Sequence, residues 1–208
     1  MSSGETELPL GRLEAFSDGV FAIAITLLVL ELGVSADASE HLLRSILDEW
    51  PSYLAYVTSF LTIGVIWIVH SGITGSLRTA DPTLYRVNLL VLLLVSFLPF
   101  PTKLVAEYVG EDDPERVAVV FYGLTLLALD LALTVFVRYA VENRRHVHER
   151  VDDETTAAAL RRGPSYAFYA VAIAVGWLLP TVGVVLYLVI ALAMGVPART
   201  VHRLLRRG

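Results

Sequence analysis

Along this chain, long apolar runs alternate with short polar stretches. A helix needs about 20 apolar residues to cross a membrane's hydrocarbon core. The runs at roughly 14–32, 51–71, 84–107, 115–138, 164–179 and 182–198 therefore predict six transmembrane helices, and leave no room for a soluble domain. Residues 1–208 are expected to form one all-α membrane domain. Read as one helix, 164–198 would be about 50 Å long against about 30 Å of hydrocarbon. Leu179-Pro180-Thr181-Val182-Gly183 is the natural place to divide it, since proline breaks a helix interior and glycine favours a turn.

Composition agrees. The 208 residues are 55% hydrophobic, with mean hydropathy +0.63, above the roughly 45–50% apolar content of soluble domains. Cysteine is absent, which excludes disulfides, thiolate metal sites and Cys nucleophiles. The first ten residues carry Glu5 and Glu7 and no basic residue, so no cleavable signal peptide is expected. Fifteen arginines to one lysine hint at a bacterial genome rich in G and C, hence a multi-pass protein of the bacterial inner membrane.

Charge orients the spans. With the N-terminus inside, 13 basic residues fall on the inner side, among them Arg12, Arg78, Arg86, Arg138 and the tail Arg199 to Arg207. The outer side holds 3: Arg44, Lys103 and Arg116. Basic residues favour the cytoplasm, so both termini are predicted cytoplasmic. The basic tail is expected to meet anionic lipid headgroups. No nucleic-acid partner is expected.

The polar residues inside the spans carry the chemistry. Ser17 and Asp18 lie near the start of the first span, Trp67 and His70 near the end of the second, and Asn88 near the start of the third. Alternating direction brings all five to one depth, where each must find a partner. Two readings stay open: a network that glues three helices, or a proton relay or ion site. Ile23, Leu27 and Leu30 fall within about 60° of arc, and Asp18 lies about 140° from Ile23. If Asp18 faces its own bundle, the Ile/Leu stripe faces lipid, another subunit or a pore. Asp130 is a lone acid in the fourth span, with no partner evident in the sequence. His146 and His148, in an Arg-rich loop, are spaced poorly for a helical metal pair, and no metal or cofactor is expected.

Arg12-x-x-x-Phe16-Ser17-Asp18-Gly19-Val20-Phe21-Ala22-Ile23 resembles the signature of the transmembrane protein 175 family, potassium-permeable channels of endosomes and lysosomes with short prokaryotic relatives. The dense match covers about 20 residues; Trp67, His70 and Asn88 extend it loosely. The resemblance implies that one six-helix repeat assembles as a homotetramer, with the first helix of each copy lining a central pore. It implies that Ile23 is the constriction, continued by Leu27 and Leu30, with Ala22, Thr26 and Glu31 flanking. It also implies that Arg12, Phe16, Ser17 and Asp18 anchor this helix through a network with Trp67, His70 and Asn88. Family selectivity has been linked to hydroxyls near the constriction; here Ala22 precedes Ile23 and the nearby hydroxyl is Thr26.

No Thr-Val-Gly-Tyr-Gly loop supplies a carbonyl filter. An apolar ring would select by dehydration, favouring potassium over sodium, and would gate by dewetting. The rival is a proton-coupled transporter with Asp18, His70 and Asp130 as a relay. Against it, the chain shows no internal repeat and no paired broken helices. An enzyme is not expected: His-Glu-x-x-His and Gly-x-Ser-x-Gly are both absent.

Overall fold

The computed structural model describes residues 10–33, 42–108, 112–142 and 165–195, which are largely helical. The elements are α1 (Leu10–Leu27), α2 (Leu42–Asp48), α3 (Trp50–Thr74), α4 (Pro82–Phe97), α5 (Pro99–Tyr108), α6 (Asp112–Glu142), α7 (Ser165–Leu178) and α8 (Pro180–Gly195). A short 3-10 turn, Leu28–Glu31, tightens the end of α1.

Among the described residues, four segments are long and apolar enough to cross a membrane: Leu10–Glu31, Trp50–Thr74, Pro82–Tyr108 and Asp113–Glu142. Helices α7 and α8, at 14 and 16 residues, are shorter. At 1.5 Å per residue they reach about 21 and 24 Å. The sixth expected span ran to 198; residues 196–198 lie outside the described part, as do His146, His148 and the basic tail.

Proline marks four of the boundaries. Pro51 and Pro82 sit in the first turns of α3 and α4, where a missing N–H costs nothing. Asp81 caps α4 by accepting from the Leu84 amide at 2.7 Å, and its other oxygen accepts from Tyr139 on α6. Pro99 divides the third span into α4 and α5, a break the span reading had not included. The last hairpin does divide, but at Leu179, with Pro180 opening α8. Gly183 is not part of the turn. It lies inside α8, where an added Cβ would stand 2.5 Å from the Gly176 Cα. Its lack of a side chain lets two backbones touch.

The core lies between α3, α4, α5 and α6, with α7 and α8 packed on α6 and α3. Tyr122, in the first half of α6, is fully buried and shares a hydroxyl cluster with Ser59 and Thr102 at 2.8 and 2.7 Å from Ser59. Helix α1 packs on α3 and α4 only along one side.

Candidate functional site

Helix α1 has two unlike faces. Leu13, Ser17, Phe21, Ala24 and Leu28, at helical spacing, are buried against α3 and α4. Opposite them, Phe16, Ile23, Leu27 and Leu30 form an exposed apolar stripe, with Ile23 61% and Leu30 73% accessible. Ile23 lies about 160° around the helix from Phe21. A stripe this apolar, uncovered by its own chain, marks a contact or lining surface.

Polar contacts fix that rotation. Ser17 is completely buried. The Asn88 side-chain amide donates to the Ser17 hydroxyl at 3.0 Å, and His70 Nε2 donates to the Asn88 Oδ1 at 2.6 Å. His70 is held from both sides by rings: it stacks on Phe136 at 4.8 Å and tilts against Phe21 at 5.4 Å. One buried cluster thus joins α1, α3, α4 and α6. A second contact stands at the rim, where Trp67 Nε1 donates to Asp18 Oδ1 at 2.8 Å. Both partners are exposed. Ser17 rather than Asp18 is therefore the group turned fully into the bundle.

Not all the residues named from the sequence gather here. Phe16 sits on the exposed stripe, about 20° from Ile23, and not in the polar cluster. Arg12 is exposed and has no partner among the described residues. Ala22 and Thr26 flank the stripe, and Glu31 lies half-buried at the end of the 3-10 turn. The Thr26 hydroxyl donates back to its own helix, 2.9 Å from the Ile23 carbonyl and 3.0 Å from that of Ala22. Its proton is thereby engaged, leaving an acceptor oxygen beside the stripe.

Asp130 is in a different setting. It is buried and accepts from the Ser165 hydroxyl at 2.6 Å. With Thr62, Ile66, Tyr169 and Met194 it lines a cavity of about 10 Å³, room for about one water. Ser165 was not singled out from the sequence; it follows a long polar stretch, and nothing local signals its partner.

A bundle with several membrane-length apolar helices and a polar-anchored, uncovered helix face defines a multi-pass membrane protein. The sequence model of the family described as "Endosomal/lysosomal potassium channel TMEM175" matches residues 12–99. A potassium channel of Streptomyces collinus is 48% identical over 123 residues, 59% of this chain and 60% of that one. A potassium channel of Chamaesiphon minutus is 39% identical over 194 residues, 88% of this chain and 93% of that one. A crystal structure of a lysosomal potassium-selective channel TMEM175 homolog from Chamaesiphon minutus superposes with a TM-score of 0.78 at 37% identity, covering 89% of this chain and 95% of that one. The human relative, named an endosomal/lysosomal proton channel, is 34% identical over 119 residues, 52% of this chain but 24% of its own length. This chain belongs to the TMEM175 family, a family of ion channels and not of enzymes.

Proposed function

We infer that this protein is a potassium-permeable cation channel in which α1 lines the pore. Four copies would set their α1 stripes around one axis, with Ile23 at the narrowest point and Leu27 and Leu30 continuing the lining outward. The observation that carries this reading is the exposure of Ile23, Leu27 and Leu30 on a helix anchored from behind by Ser17, Asn88 and His70. The potassium-channel names of relatives covering most of this chain support the ion.

The mechanism follows from the side chains. Ile and Leu offer no oxygen to replace an ion's water, so passage requires partial dehydration. Potassium holds its water less tightly than sodium and crosses such a ring more easily. The pore would be modestly selective, and a slight narrowing would empty it of water and close it. Thr26, flanking Ile23, adds an acceptor oxygen, and Glu31 at the outer mouth attracts cations. Permeant potassium is the only ion required, and no cofactor enters. In this reading six helices cross a bacterial inner membrane with both termini cytoplasmic, as the arginine distribution favours.

The relay alternative has less support. His70 is bonded to Asn88, Asp18 to Trp67 and Asp130 to Ser165, three separate pairings. Purified protein in planar bilayers, with potassium on one side and sodium on the other, distinguishes the two. The expected result is a channel current whose reversal potential favours potassium. Saturable flux that needs a pH gradient, with no channel current, would identify a transporter instead.

A further inference from the structure

The fourth span carries a buried acid that ion passage along α1 does not use. Asp130 lies where α3, α6, α7 and α8 meet, and lines a cavity of about 10 Å³ with Thr62, Tyr169, Ala191 and Met194. Thr62, Asp130 and Tyr169 are only 4%, 4% and 1% exposed. Polar groups buried this deeply take hydrogen-bond partners, from protein or from ordered water.

The chemistry of the walls narrows what fits. The Thr62 hydroxyl gives its proton to the Thr58 carbonyl at 2.8 Å, which leaves its oxygen an acceptor. One carboxyl oxygen of Asp130 accepts from Ser165 at 2.6 Å, and a carboxyl group has capacity for further bonds. The Tyr169 hydroxyl directs its proton at the Met194 sulfur, 3.7 Å away, a weak acceptor. A water among these groups would donate to Thr62 and Asp130 and accept from Tyr169, matching the about three bonds of a typical buried water. The volume suits one water molecule. A wholly apolar cavity would stay dry, but this one is polar on three walls. A hard cation asks for a fuller cage of oxygens than these three side chains give.

We propose that this cavity binds one ordered water molecule, held by Thr62, Asp130 and Tyr169, which joins α3 and α6 to α7. The site fastens the open end of the α7–α8 hairpin, where Ser165 starts α7 and Met194 stands next to the last residue of α8. The closed end is fastened differently, by Gly183 against Gly176. The water site depends neither on which ion passes nor on α1 lining a pore.

The test is a crystal structure of the full chain at a resolution that shows waters, with matched crystals grown in rubidium in place of potassium. The expected result is one density peak in the cavity, within hydrogen-bond distance of Thr62, Asp130 and Tyr169, with no anomalous signal from rubidium. A cavity without density would overturn the proposal. A rubidium signal there would identify a monovalent cation and overturn it equally. Thr62→Val and Tyr169→Phe each remove one hydroxyl with little change of shape. Each is expected to release the water and lower the melting temperature. The double variant should then melt close to the less stable single one, because the bridge is already gone. Fully additive losses, or a peak that persists in both single variants, would show that no water bridges these helices and overturn the proposal.

Discussion

At the residue scale, the anchoring cluster works because each polar group behind α1 has a partner with the right chemistry. Asn88 accepts from His70 and donates to Ser17, so one amide joins three helices. Asn88→Leu would leave both partners unsatisfied in a buried site, at a cost of about 2 kcal/mol. Trp67→Phe removes one exposed bond and should cost about 0.6 kcal/mol, the average for such bonds in membrane proteins. Thermal melting of the purified protein should rank them in that order; equal melting temperatures would deny the cluster its anchoring role. The participants were legible in the sequence because polar residues inside apolar runs are few, and alternating spans set them at one depth. Their pairing was not. Ser17 and Asp18 are adjacent, and only the geometry shows that Ser17 faces the core while Asp18 meets Trp67 at the rim. Phe16 stands seven residues before Ile23 and so shares its helix face, and this spacing contradicts the resemblance, which grouped Phe16 with the network.

At the element scale, apolar run length marked the spans, and Pro180 marked the division of the last hairpin. Interruptions within a span were harder to see. Pro99 was visible, but a proline can be absorbed in a span, and here it starts a new helix. Helix α2 was hidden because seven residues with three polar ones look like any loop until their angles are drawn. Gly183 was misplaced for a related reason: a glycine can serve a turn or a close approach, and packing decides which. Gly183→Ala adds a methyl where the Gly176 backbone stands. Overpacking costs up to about 3 kcal/mol, offset by about 1 kcal/mol of better helix propensity, for a net loss of about 2 kcal/mol. Gly72→Ala in α3 meets nothing within 4 Å and should be neutral or stabilising. Melting temperatures that moved the same way for both would contradict this packing.

At the scale of the whole molecule, the proposed channel depends on an assembly that presents α1 to a common axis. Asp18 and Trp67 sit at the exposed margin of the anchor, where a neighbouring copy would close over them. Asp18→Ala is therefore expected to reduce the yield of assembled oligomer, read by chemical cross-linking, before it alters ion preference. A well-assembled variant with changed selectivity alone would make Asp18 part of the filter. Helix α1 showed its two faces in the sequence alone. The step from an uncovered apolar face to an ion pathway came from the family, since lipid, a neighbouring subunit and a pore all accept the same side chains. Ile23 distinguishes among them. Reversal potentials under bi-ionic potassium and sodium should shift when Ile23 is replaced by Asn. The account predicts that Ile23→Asn wets the narrow ring and brings the permeability ratio toward unity, with current retained. An unchanged ratio in a fully assembled Ile23→Asn channel would remove Ile23 from the filter and contradict the account.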